Sequence, residues 1–202
     1  MGNYGAAEQI GHKINRGIQL KKYHTILILV FVLSFGIGFP VFGETVKKLT
    51  TGDVIALQAQ WGQGIVSIGK VFQAGGDYNT KAREMIAKMY GYDDGPVLFK
   101  PTKAVVDQFR ETADQALSYF VGGSVTEDHG FALQPWSEVR FENHDIVIQD
   151  GVAVAMGNYY FTDAVTGKAV KVEYTLGIRR SAADGRPVIF LHHSSLPFQA
   201  GH

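Results

Sequence analysis

From Asp53 to Phe72 the apolar residues Val54, Leu57, Trp61, Ile65, Ile68 and Phe72 recur at spacings of three and four. That spacing puts them on one face of a helix and predicts that the face is buried. Gly62, Gly64 and Gly69 lower the intrinsic propensity of this helix, so packing has to hold it, and small residues there let another element approach closely. A second helix is predicted in DYNTKAREMIAKMYGYDDG, residues 77–95, with Ala82, Met85, Ile86 and Met89 inward and Gly91 as its stop. A third, shorter helix is expected within residues 100–123. It would begin near Thr102, use Val105, Val106, Phe109 and Leu117 as apolar positions, and end at Gly122 and Gly123.

Beyond Gly130 the period changes. EVRFENHDIVIQ, GVAVAMGNYYF, AVKVEYTLGIRR and RPVIFLHHSSLP are rich in β-branched and aromatic residues, and QDG, DAVTG and SAADG separate them. These are strands joined by turns too short for anything but antiparallel neighbours. Helices followed by a meander predict an α+β domain with the helices packed on one face of a curved antiparallel sheet, a cone enclosing a pocket.

The first residues carry a different pattern. Residues 1–24 are polar with Lys13, Arg16, Lys21 and Lys22; residues 25–39, TILILVFVLSFGIGF, are almost wholly apolar; PVFGET follows. That order is a secretory signal, with Val41 and Gly43 where a signal peptidase reads, so residues 1–43 are expected to be removed and 44–202 to form one domain. An uncleaved anchor is the alternative, although the apolar run is shorter than the roughly 20 residues of a spanning helix. An exported protein, periplasmic or secreted and free of the membrane after cleavage, is the expectation.

Composition removes several function classes. The chain has 202 residues, 19 basic against 19 acidic, and no cysteine. Balanced charge gives no handle for nucleic acid. Without cysteine there is no thiolate nucleophile, disulfide or cysteine metal site. The partner expected is a small molecule.

The segment FLHHSSLP, residues 190–197, places two histidines and two hydroxyls in a strand. Alternation sends His193 and Ser195 to one face, His192 and Ser194 to the other. Strand-end histidines and serines often only satisfy backbone groups or meet water. Adjacent strand histidines are poor joint metal ligands, and His129 and His144 lie in turn-like sequence. A third reading is a neutral, hydroxyl-rich pocket that binds a small planar oxyanion by donated hydrogen bonds, beside a histidine able to handle a proton.

Together LFKPTKA, QFRETADQALSYFVGG, FALQPWSEVRFEN, AMGNYYFTDAVTGKAVKVEYTLG and LHHSSLP resemble the bacterial relatives of the calcium/calmodulin-dependent kinase II association domain, and within that group the iota-class carbonic anhydrases. The resemblance runs from about Trp61 to Pro197. It implies the cone-shaped nuclear-transport-factor-2-like fold and reversible hydration of carbon dioxide to bicarbonate and a proton. It implies Thr102, Tyr119, His193 and Ser195 as catalytic residues, with Thr102, Tyr119, Ser195, His192 and Ser194 binding substrate. In this chemistry Thr102, Tyr119 and Ser195 would hold the forming oxyanion, His193 would accept or orient a proton of water, and Phe120 or Tyr160 would give carbon dioxide an apolar wall. No cofactor is expected, zinc or manganese being the alternative, since the class includes members with and without metal. The association-domain relatives point to a homodimer. The same histidine motif often has three in a row, and here Leu191 takes the first place. Thr102 could instead cap the third helix, and Arg110 on that helix could pair with Glu173 inside.

Overall fold

A computed structural model describes residues 47–199, and the expected signal segment 1–43 lies outside them. Helix α1, Thr51–Gln73, starts at a capping box in which Thr50 accepts from the Asp53 backbone and Asp53 bonds back. Of its periodic residues, Val54, Leu57, Trp61, Ile65 and Ile68 are buried, each aliphatic side chain contributing about 1.5–3 kcal/mol of transfer free energy, while Phe72 in the last turn is exposed, against expectation. Its glycines serve the approach expected of them: a Cβ at Gly62 would stand 3.0 Å from the Val139 carbonyl, and one at Gly69 2.9 Å from that of Ala132. Helix α2, Tyr78–Met89, is capped by Asp77 and buries Ala82, Met85, Ile86 and Met89.

The third helix differs from its expectation. Helix α3 is only Ala113–Val121, opened by a capping box of Thr112 and Gln115. Residues 101–111 form an irregular loop in which Val105, Val106 and Phe109 are exposed. Proline at 101 and the Thr112–Gln115 box set the true start, and Thr102 caps nothing. Arg110 is therefore not on a helix and does not meet Glu173. It is buried beneath the loop, its guanidinium gripping both oxygens of Asp128 at 2.5 and 3.0 Å.

One mixed sheet holds β1 (Leu98–Lys100), β2 (Trp136–Gln149), β3 (Val152–Asp163), β4 (Ala169–Arg180) and β5 (Pro187–Ser195), in the order β1-β5-β4-β3-β2. The four predicted strands form the antiparallel meander. The short β1, which periodicity cannot reveal in three residues, adds parallel to β5 and corrects the all-antiparallel expectation. Three register shifts bend the sheet, the first at Ser137 near the start of β2. His144 is the extra residue between the pairs Asn143–Gly157 and Asp145–Met156, a place in a strand rather than in a turn. Phe190 is the extra residue between Ile178–Ile189 and Gly177–Leu191.

Candidate active site

The bulge at Phe190 decides what the last strand shows to the core. Counting regularly from buried Ile189 would send Leu191, His193 and Ser195 inward. The extra residue reverses that phase, because a one-residue slip exchanges the two faces. His192 pairs with buried Leu176 and Ser194 with buried Tyr174, so these two point inward, while His193 is exposed and Ser195 half-exposed. Gly177 makes the bulge possible: a Cβ there would lie 2.8 Å from both Leu191 and the Phe190 ring. The expectation that His193 and Ser195 join Thr102 and Tyr119 in one pocket is thereby corrected. They instead line a shallow groove on the outer sheet face, where Ser195 Oγ meets Glu173 Oε2 at 3.3 Å.

On the inner side four elements bring hydroxyls together. Thr102, in the turn after β1, donates to Ser194 Oγ at 2.9 Å across 92 residues of chain. Tyr119 on α3 brings its phenol close to the Thr102 side chain and the Lys103 backbone N–H. Tyr159 on β3 lies against both Ser194 and Thr102. Its neighbour Tyr160 points outward beneath the Arg140 guanidinium, 4.4 Å from the ring centre, and is no wall of this site. Burial pushes the phenols of Tyr90, Tyr119 and Tyr159 above their ordinary range, so they stay neutral O–H donors.

His192 stands behind the hydroxyls in an aromatic box. Its ring stacks on Phe99 at 5.0 Å and meets the edge of Trp61 at 5.4 Å. Nδ1 lies 2.8 Å from Tyr90 Oη and Nε2 3.5 Å from Tyr159 Oη. Tyr90 comes to this place because it ends α2 in extended conformation and bridges to Ile189. Burial, and after it the neighbouring His193, lowers the His192 pKa to about 3, so the imidazole is neutral at physiological pH. Phe120 is buried in the same box, 5.8 Å from Phe99.

A cavity of about 420 Å³ opens beside Tyr119, with Lys103, Asp128, His129, Phe131 and Gln134 on its walls. Arg110 fixes its rim through Asp128, and the Glu127 carboxylate accepts from the backbone N–H groups of Val105, Val106 and Asp107 at 2.9–3.1 Å. Among the described residues no group of three or more His, Asp or Glu side chains is placed to hold a metal ion. Both nitrogens of His192 already face phenols, so the donor set does not fit zinc or manganese.

Of the residues singled out in the sequence for the site, Thr102, Tyr119, His192 and Ser194 come together on the inner side, and Tyr159, Tyr90 and Trp61, which were not singled out for it, stand beside them. Tyr159 was within reach: Ala153, Ala155, Tyr159 and Phe161 share one parity on β3, and all four are buried. Trp61 carries no such signal, because helix periodicity marks it only as core, and Tyr90 carries none because it lies just past the end of α2.

A family model described as metal-independent carbonic anhydrase matches residues 52–196. A metal-independent carbonic anhydrase of Nostoc sp. is 40% identical over 158 residues, covering 76% of each chain. The crystal structure of a cyanobacterial iota-carbonic anhydrase complexed with bicarbonate is 39% identical, covers 76% of this chain and 95% of its own, and superposes with a TM-score of 0.72. The association domain of a putative calcium/calmodulin-dependent kinase II from Xanthomonas campestris shares the fold, with 24% identity, 73% and 88% coverage and a TM-score of 0.50.

Proposed function

The chain belongs to the metal-independent carbonic anhydrase family, and on that premise we propose that it hydrates carbon dioxide at the inner hydroxyl cluster of Thr102, Tyr119, Tyr159 and Ser194. The observation that carries this reading is the 2.9 Å contact from Thr102 to Ser194, flanked by two buried phenols. Such a cluster is rich in protons to donate and poor in charge, which suits a planar oxyanion that forms during the reaction. Carbon dioxide itself needs only apolar surface, and Phe99, Phe120 and Phe131 offer it. The oxygen of a held water bonds to the carbon, one C=O electron pair moves onto oxygen, and that oxygen takes hydrogen bonds from the hydroxyls. The water proton leaves through Thr102 and Tyr119 toward the cavity, so bicarbonate and a proton are the two products. Each preorganised donor of this kind is worth roughly 10²–10³ in rate.

Stopped-flow hydration of carbon dioxide tests the reading directly. Thr102→Val and Ser194→Ala each lower kcat about 100-fold with the fold intact, and a chelator leaves the native rate unchanged. Unaltered rates in both variants would remove the site, and inhibition by the chelator would remove the metal-free mechanism. The same reading has the enzyme exported with cleavage after Gly43 and assembled as a homodimer. Export is supported by the basic-then-apolar order of residues 1–43 and checked by N-terminal sequencing, and the dimer is checked by sedimentation of the purified protein.

A further inference from the structure

Behind the hydroxyl cluster runs a chain of contacts whose direction can be read. The Trp61 indole Nε1–H, which can donate and never accept, lies 3.0 Å from Tyr90 Oη. Tyr90 therefore receives there, and its own proton needs an acceptor in a shell of aromatic rings. The His192 Nδ1 at 2.8 Å meets that need. A neutral imidazole that accepts at Nδ1 carries its proton on Nε2, and Nε2 faces Tyr159 Oη. Tyr159 then accepts from His192 and is left to donate toward Ser194 and Thr102.

From this sequence of contacts we propose that Trp61 and Tyr90 are positioning residues: they fix His192 as an Nε2–H donor, so that the histidine orients the Tyr159 proton toward the site instead of taking one from water. The opposite tautomer would place Nδ1–H against a Tyr90 oxygen already receiving from Trp61, and would strand the Tyr90 proton without a partner in a dry interior. A protonated imidazole strands it equally. The indole end also closes this route to proton transfer, since Trp61 has no lone pair to accept with. Protons released by the reaction are thus confined to the Thr102–Tyr119 side.

The inference rests on the hydroxyl cluster being the site, yet its first test needs no turnover. In protein labelled with ¹⁵N-histidine, the His192 signals, identified by their loss in His192→Gln, should show Nε2 protonated and Nδ1 bare throughout pH 5.5–8.5. An Nδ1–H pattern, or an imidazole that titrates in that range, overturns the proposal. Tyr90→Phe should then lower kcat about tenfold, the order seen when a group orienting an imidazole is removed, with KM within twofold and the single tautomer replaced by a mixture. Trp61→Phe, which removes only the first donor, should give the same mixture in smaller proportion. If Tyr90→Phe keeps both the native spectrum and kcat, the positioning role is overturned. Should Thr102→Val and Ser194→Ala leave hydration intact, the site fails while the wild-type spectrum still decides the tautomer.

Discussion

The two faces of β5 carry the same residue types, one histidine and one serine each, in opposite surroundings. His192 and Ser194 lie in a dry aromatic interior, joined to Tyr90, Tyr159 and Thr102. His193 and Ser195 lie one residue further on in a solvated groove among Glu173, Thr175 and Asn158. Residue identity is shared, so the difference in chemistry comes from surroundings alone. In the interior an imidazole is held neutral and its hydrogen bonds acquire a direction; outside, water supplies partners of either kind. A single extra residue, Phe190, determines which pair goes where.

The largest test of that contrast exchanges one hydroxyl on each face. Ser194→Ala removes the acceptor of the Thr102 bond and a neighbour of Tyr159, and hydration should fall about 100-fold. Ser195→Ala loses only a 3.3 Å contact to a carboxylate in water, and its rate should stay within twofold of native. Equal losses measured by stopped flow would put the reaction on both faces and sink the distinction.

Much of the scaffold could be read in the letters. The period of α1, the inward face of α2 and the four long strands follow from local spacing, because each is a run of nine or more residues. The loop of 101–111 defeated the same rule: Val105, Val106 and Phe109 have helical spacing, but they are exposed, and the Thr112–Gln115 box begins the helix seven residues after Val105. The candidate site was half legible. The presence of His192, Ser194, Thr102 and Tyr119 was marked by their motifs, yet the side of the strand on which each histidine falls depends on a bulge accommodated by Gly177, which belongs to the neighbouring strand. No pattern within residues 187–195 carries that information.

Acid should separate the faces next. His192 titrates near 6.5 in an unfolded chain and near 3 in the folded one. Below pH 6.5 the unfolded state therefore binds a proton that the native state refuses, and stability declines as pH falls, by about 1.4 kcal/mol per unit from this residue. The contribution is complete above pH 6.5 and is exhausted once pH passes below 3. Urea unfolding at pH 4.5 and 7 should show this decline, and His192→Gln should flatten it. An equally steep decline in His192→Gln would assign the acid sensitivity to other groups.

The smallest effect belongs to His193→Ala. The side chain is exposed, so at neutral pH stability should change by no more than about 0.5 kcal/mol, and hydration should stay within twofold. Its one expected signature is indirect. After burial, the charge of His193 is what holds the His192 pKa down, so removing it lets the folded value rise toward 6.5 and softens the acid decline. The variant should therefore match native protein at pH 7 and be slightly less acid-sensitive than it at pH 4.5, a pattern that urea midpoints at the two values can resolve. A tenfold loss of hydration in this variant would mean that the outer imidazole acts on the inner chemistry, and that the sheet does not divide the two faces as their surroundings suggest.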